Sequence, residues 1–510
     1  MKFVIRTDAS RKIGSGHVMR CLTLAQELKE KGAEVCFICR LHPGNLNAFI
    51  CKQGFVCLDL PSPEKHPQRI SHPKNEYEAW LEVPQEVDAK ETMDLLAEAG
   101  ETLIVDHYGL DQNWEKRLAP HFQSIVVIDD LANRAHLCDL LLDQNLQPAL
   151  HQKYPSLTPP TCKLLLGPSY ALLREEFSAA RKDLKIREGK ISKLCIFFGG
   201  VDTSNESLKA IKACLKVSAP LELQVILGAA NPHQKILSEF CTPYSQIKLY
   251  REVERVSQIL KLSDLAIGAG GVSTWERAAL GVPTLAWSIS NNQEALLQSM
   301  AEEGRLIYLG KKEEITEETI REKIESLLAH PEQVQSLSKK SLELVDAKGA
   351  PRVATFLLNL HSEKKITLRP ATFEDCQNIF EWRNHPETRQ SSYNSKKISW
   401  KAHKVWFEKS LSNTHRKILI AEREAKSVGV LRYDYSGSGE EALTSIYLVP
   451  GNKGQGYGTQ ILIHAAAWLK KNHPKTKFLK AEIQEKNIVS QRAFAKAGYR
   501  LKNKIWVKPL

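Results

Sequence analysis

Across the first 150 residues, short runs that are apolar at nearly every position alternate with stretches that are apolar every third or fourth residue. KFVIRTD, EVCFICR, VCLDL, TLIVDHY and SIVVIDD are of the first kind and rich in β-branched side chains, as parallel strands buried on both faces require. HVMRCLTLAQELKEKG is of the second kind and closes on Gly32, a helix with glycine just past its end. The proline- and histidine-containing stretch from Pro61 to Pro84 predicts a long loop at the sheet edge. A second series begins near Lys193 with KLCIFFGG, LELQVILG, DLAIGAGG, VPTLAWS and RLIYLG, and GPSYALLREEFSAAR (Gly167 to Arg181) is expected to carry the crossover. Strands alternating with helices predict doubly wound sheets. Two such lobes place a ligand in the cleft between them. After HSEKK the character changes, and ITLRPATFEDCQNIFEWRN opens a third unit with strand candidates KILIAER, SVGVLRYDY and ALTSIYLV. The expected α/β domains are 1–175, 176–360 and 366–510.

The length of 510 residues fits about three core units. A net charge of +12 suits anionic ligands. The lysines and arginines are dispersed, with no basic run interleaved with aromatics, which argues against nucleic acid as the partner. The 11 cysteines lack paired spacing. Cys36 and Cys39 sit in a strand pattern, so alternation sends them to opposite faces, and reduced core thiols are expected. No apolar run approaches the ~18 residues of a membrane helix. MKFVIRTD is charged too early for a signal peptide, so a cytoplasmic protein without a membrane partner is expected.

In RTDASRKIGSGHVMRCLTLA, Gly14, Ser15, Gly16 and His17 fall between the first strand and the first helix. Glycines there permit a sharp turn and close approach of a ligand. His17 falls at the helix N-terminus, which favours anions, and a neutral imidazole is a general base near pH 7. LAIGAGGVSTWERAALGVP repeats the plan in the second lobe. Amides around Gly270 and Gly271 can hold a diphosphate beside Ser273, and Glu276 can accept both ribose hydroxyls. FFGGVDTSNES places Gly199 and Gly200 at a third strand end, with Ser204 as the expected N-cap. Asp8 and Asp106 end strands facing the expected cleft, for sugar contacts or for orienting His17. Asp129 and Asp130 read as turn or capping residues rather than a pair. No metal is required, because helix N-termini and loop amides can stabilise a diphosphate leaving group.

The motifs RTDAS-x-x-IGSGHVMRCLTLA, IVDHY, LLGPSYALLREEF, FFGGVD and AGGVSTWERAALG-x-P resemble the UDP-2,4-diacetamido-2,4,6-trideoxy-β-L-altropyranose hydrolases of pseudaminic acid biosynthesis over roughly residues 1 to 360. That family is similar in fold to GT-B glycosyltransferases, which implies two Rossmann-like lobes. The resemblance implies water attacking C1 of the nucleotide sugar with His17 activating or orienting it. It places UDP on Gly270, Gly271, Ser273 and Glu276, and the sugar near Asn292 and Gln293.

IYLVPGNKGQGYGTQILIHAAAWLKK runs from a strand ending at Leu448 and Val449 into Lys453, Gly454, Gln455, Gly456, Tyr457 and Gly458, then a helix. A dinucleotide loop has similar spacing, but no βαβ unit surrounds this one and no acidic ribose partner follows. The loop resembles the Q/R-x-x-G-x-G/A signature of GNAT acetyltransferases, with Lys453 in place of Arg or Gln. The resemblance implies that amides of Gly454 through Gly458 cradle the pyrophosphate of acetyl-CoA, the cosubstrate, with Leu448 and Val449 on the cofactor side. AEIQEKNIVSQRAFAKAGY matches the later GNAT segment, where Asn487 would touch the pantetheine arm. Many members carry a tyrosine donor for the departing thiolate where this chain has Phe494, and Tyr499 is the nearest alternative. EWRNHPETRQSSY resembles the substrate side of the small N-acetyltransferase acting one step earlier in the same pathway, with Arg383 and Arg389 as phosphate contacts.

Together these readings predict a bifunctional enzyme. The C-terminal domain would acetylate a 4-amino UDP-sugar, and the N-terminal lobes would hydrolyse UDP from the product. Alternatives are a glycosyltransferase with a sugar acceptor, an acetyl-CoA-sensing domain without catalysis, and a related pathway with other sugar stereochemistry.

Overall fold

The computed structural model describes all residues except 71, 74, 75, 97–100, 147–149, 229, 252, 365, 391–394, 424, 455, 503 and 504. Strands β1 (Lys2–Thr7), β2 (Glu34–Arg40), β3 (Val56–Leu60), β4 (Thr102–Asp106), β5 (Ser124–Ile128), β6 (Leu140–Asp143) and β7 (Lys163–Leu166) form one sheet in the order β3-β2-β1-β4-β5-β6-β7. Every neighbouring pair is parallel, and β4 and β5 are buried throughout. Their continuous apolar runs follow from helices covering both faces. The order reverses between β1 and β4, the switch point where α/β sheets open a crevice. The expected loop from Pro61 to Pro84 contains two short helical turns, Pro63–Lys65 and Glu78–Leu81.

Strand β1 buries charge as well as hydrocarbon. Arg6 and Arg40 are both fully buried, and the Nη2 atom of each lies 2.7 Å from Asp88 Oδ2. Arg6 also reaches Asp8, 2.6 Å from Nη1, because residues two apart on a strand share a face. Asp8 Oδ1 accepts the Arg40 amide as well, at 2.7 Å. This corrects the expectation for Asp8. It is fully buried at the sheet end, holding two arginine-bearing strands together, and is not an exposed sugar contact.

Strands β8 (Lys193–Phe197), β9 (Glu222–Leu227), β10 (Ile247–Arg251), β11 (Leu265–Gly268), β12 (Thr284–Ser288) and β13 (Ile307–Lys311) form a second parallel sheet, β10-β9-β8-β11-β12-β13. Its switch point lies between β8 and β11. Beyond β8, Asp202 accepts the amides of Glu206 and Ser207 at 2.8 and 3.1 Å. Asp202, not the expected Ser204, therefore serves the first amides of the helix Glu206–Leu215. Both lobes belong to one compact unit, Met1–Leu358, and Asn359–Leu510 forms the other. The helix Gly349–Lys364 buries Ala350, Val353, Ala354 and Leu357 completely. It packs Phe356 against Tyr170 and under Lys163 of the first lobe.

The second unit holds a mixed sheet of β14 (Thr367–Pro370), β15 (Arg416–Arg423), β16 (Lys426–Tyr435), β17 (Glu441–Leu448), β18 (Phe478–Ala481), β19 (Arg500–Lys502) and β20 (Ile505–Pro509), in the order β14-β15-β16-β17-β18-β20-β19. Its one parallel pair, β17 with β18, is in register only from Glu441 to Leu443. Beyond Leu443 the strands part, while β17 stays paired with β16 as far as Leu448. Among the described residues, no helix is long and apolar enough to cross a membrane.

Candidate active sites

The turn after β1 is built on Gly14, whose φ of 79° belongs to the left-handed region that glycine enters without strain. It delivers His17 into the first turn of the helix Gly16–Glu30. His17 Nδ1 lies 2.6 Å from Oδ1 of Asp106, the last residue of β4. A carboxylate only accepts, so Nδ1 carries a proton, and in the neutral ring the lone pair is on Nε2. Arg20 lies one turn further along the same helix and grips Asp106 with Nε and Nη2, both at 2.6 Å. Its Nη1 bonds Asp130, which also accepts from the Tyr108 hydroxyl at 2.7 Å. Burial alone would raise the Asp106 pKa, but the charge of Arg20 and the hydrogen bonds from Arg20 and His17 outweigh it and hold the carboxyl well below its usual range.

His17 is 8% exposed, with its ring edge-on to Tyr108 at 4.5 Å and to Trp80 at 6.1 Å. Trp80 stacks on Tyr108, so the imidazole is walled by aromatic rings. Asp129 faces another way, toward Arg134 at 2.8 Å and Tyr154 at 2.9 Å. The two adjacent aspartates thus serve different partners. Arg20 and Tyr108 are additions to the expected set, and Asp130, expected as a turn or capping residue, binds both. Arg20 was detectable at three residues from His17 on one helix face, and Tyr108 directly follows the Asp106-His107 pair.

In the second lobe, Gly199 and Gly200 follow β8, and a Cβ on Gly200 would stand 2.7 Å from Ser15 Oγ. The missing side chain lets the histidine turn of the first lobe come against the second. After β11, Gly271 caps the helix Val272–Ala279, which carries Ser273 and Glu276. The Gly270 amide is committed to Gln293 Oε1 at 3.2 Å, which also accepts from Ile289 at 3.1 Å. Gln293 is therefore a tie between two loops through Oε1, which leaves its Nε2 as the group for the expected sugar contact. The Gly270 amide is not free for a phosphate. Asn292 is exposed and accepts from Ser290 at 2.7 Å. Burial pushes the Glu276 carboxyl up, opposed by Arg174, 3.5 Å away.

In the second unit, β17 ends at Leu448 and leads through Val449 and Gly451 to Lys453. Gly454 and Gly456 take φ of 81° and 76°, and the helix Tyr457–Asn472 starts after them, with Gly458 in its first turn. Gln455 lies outside the described residues. Successive amides at a helix start form a cradle for an anion. Lys453 Nζ donates to the Glu387 carbonyl at 3.0 Å, and the Gly451 amide to the Glu387 carboxylate at 3.1 Å. The Tyr457 ring is buried and its hydroxyl accepts from Arg423 at 2.7 Å, leaving its backbone for any ligand.

Residues 365–500 match the family described as the acetyltransferase (GNAT) domain. The C-terminal unit is a GNAT domain. The rest of the chain has its own relatives. The UDP-2,4-diacetamido-2,4,6-trideoxy-beta-L-altropyranose hydrolase of Campylobacter jejuni is 28% identical over 305 residues, 60% of this chain and 97% of the relative. Spore coat polysaccharide biosynthesis protein SpsG of Bacillus subtilis is 24% identical over 364 residues, 71% of this chain and 98% of its own. Uncharacterized protein MJ1062 of Methanocaldococcus jannaschii is 21% identical over 520 residues, 98% of this chain and 97% of its own, so the match spans both units. The chain joins a relative of that hydrolase to a GNAT domain.

Within the GNAT domain, Asn487 caps the helix Ile488–Lys496, accepting from the Ser490 amide at 3.1 Å. Phe494 is buried edge-on to Tyr499 at 4.9 Å. The Tyr499 hydroxyl pairs with Thr444 at 3.2 Å, and burial raises its pKa. Both rings belong to the core. Arg389 donates to the carbonyls of Asn384 and Ser395, each at 3.0 Å, through Nε and Nη1. Arg383 is half-buried near Tyr447 and Arg432.

Proposed function

We propose that the first unit is a nucleotide-sugar hydrolase and that the GNAT domain acetylates the amino sugar feeding it. The reading rests above all on the 2.6 Å pair of His17 and Asp106 at the switch point of the first sheet. Nε2 of His17 removes a proton from water, whose oxygen attacks C1 of a UDP-linked 2,4-diacetamido-trideoxy sugar. The C1–O bond breaks toward the nucleotide, giving UDP and the free sugar. The imidazolium formed is stabilised by Asp106, which Arg20 holds in place. Amides at the start of the helix Val272–Ala279 and the Ser273 hydroxyl receive the developing charge on the diphosphate, while Glu276 accepts from the ribose. No step calls for a metal.

In the GNAT domain, acetyl-CoA lies in the gap where β17 and β18 part, with its pyrophosphate on the Gly454–Gly458 amides and Leu448 and Val449 beside the pantetheine. The 4-amino nitrogen of the UDP-sugar attacks the thioester carbon, the C–S bond breaks, and the proton lost by nitrogen balances the thiolate. Phe494 has no proton to give and the Tyr499 hydroxyl is buried against Thr444, so water carries that proton. Similarity to the hydrolase supports the nucleotide-sugar assignment, and the GNAT match supports acetyl transfer.

The test is product analysis by NMR and mass spectrometry from a panel of UDP-amino sugars, with and without acetyl-CoA, in ¹⁸O-labelled water. UDP release without added acceptor, and ¹⁸O on the free sugar's C1 hydroxyl, are expected. UDP release only with a sugar acceptor would replace hydrolysis by glycosyl transfer. Absence of thiol release with every 4-amino sugar would remove the acetyltransferase half.

A further inference from the structure

Arg277 is 3% exposed, and no carboxylate of the described residues comes within 4.0 Å of its guanidinium. Glu276, its neighbour in the chain, turns to Arg174. Arg277 instead spends its protons on neutral oxygens. Nη2 donates to the Ala269 carbonyl at 2.7 Å and to Thr274 Oγ1 at 3.2 Å, and Nη1 to Ser273 Oγ at 3.1 Å. Nε has no partner. A buried cation with no carboxylate in contact is costly; Glu276 attracts this one only from beyond ion-pair distance, and the helix N-terminus above it adds partial positive charge of its own. The cavity beside it, about 10 Å³ and lined in part by Cys195, Phe197, Ser273 and Glu276, has room for one water and not for an anion. An anion in contact with its hydrogen-bond network has room only on the loop side, at Ser273.

The hydroxyls give the direction. Ser273 and Thr274 each accept from Arg277, so their own protons point away from it. Ser273 is half-exposed at the start of the helix. The guanidinium thus turns a hydroxyl that could donate or accept into a donor aimed at the loop.

We propose that Arg277 is the built-in counter-charge for a diphosphate bound at the Gly271–Ser273 turn, acting through Ser273 rather than by touching the ligand. It is a positioning residue, and the proposal rests on the nucleotide reading of this lobe. The test measures binding of UDP and inorganic pyrophosphate by calorimetry, and of uridine by ligand-observed NMR, to the full chain and to Arg277→Gln, Arg277→Lys and Ser273→Ala. Thermal melts confirm that each variant is folded. Arg277→Gln is expected to weaken UDP and pyrophosphate roughly 10- to 100-fold, about 1.4 kcal/mol per tenfold, and to change uridine less than twofold. Arg277→Lys restores most of the loss, and Ser273→Ala shows a smaller, phosphate-selective loss. Uridine weakened as much as UDP, or UDP unchanged in Arg277→Gln, overturns the proposal. Pyrophosphate binding that depends on Arg277 in a chain that does not bind UDP keeps the anion site and removes the nucleotide reading. Wild type that binds neither anion overturns both.

Discussion

In the proposed hydrolysis His17 acts as a base in one tautomer only, and the carboxylate of Asp106 selects it. Asp106→Asn replaces a pure acceptor with a group that can also donate, so the imidazole can sit with its proton on Nε2. Hydrolase kcat should fall by on the order of 10²–10⁴, as should His17→Ala, with thiol release from acetyl-CoA unchanged in both. UDP release by Asp106→Asn within a few-fold of wild type would show that the tautomer does not matter. Glu276 offers a second test at this scale. A carboxylate that accepts from ribose must be ionised, and burial makes that harder while Arg174 makes it easier. UDP affinity should be full above the raised pKa and decline as pH falls through it. Arg174→Ala should push the decline to higher pH, because the charge that favours the ionised form is gone. Calorimetric titration of both proteins between pH 5 and 8 measures the displacement, and coincident profiles would separate Glu276 from the ribose.

At the scale of elements, the chain could be read well wherever the pattern was local. The strands KFVIRTD and TLIVDHY and the helix from His17 onward are set by neighbours within one or two turns. The turn that presents His17 is likewise written into Gly14 and Gly16. What escaped reading were pairings between elements far apart in sequence, such as Arg20 with Asp106 and Asp130, 86 and 110 residues away. Asp8 was misjudged for the same reason, because its partner Arg40 belongs to the next strand. The helix Gly349–Lys364 is another long-range element, since its buried side chains serve the first unit. Truncation at Lys348 should therefore destabilise that unit by several kcal/mol, given that losing one large buried side chain costs about 2–5 kcal/mol. Thermal unfolding of residues 1–348 against 1–364 checks it, and equal midpoints would make the helix dispensable.

For the whole molecule, the two compact units predict that residues 1–364 and 365–510 can be made separately, each long enough to bury its own core. UDP release should stay with the first and thiol release with the second. Loss of either activity in its fragment, with the intact chain active, would mean that each half depends on the other. The separation of β17 from β18 beyond Leu443 has a consequence for the isolated second fragment. Without its cosubstrate, Thr444 to Leu448 presents backbone donors and acceptors with no paired strand on that side among the described residues. Such a seam invites pairing with another chain, as a sheet edge does. Acetyl-CoA filling the gap would act as a molecular chaperone for its own binding site. At a hundredfold excess over Kd it adds about 2.7 kcal/mol, on the order of 5–10 °C in Tm for a unit of this size. It should also suppress concentration-dependent light scattering on storage. Scattering that acetyl-CoA leaves untouched would mean that aggregation starts elsewhere on the fragment.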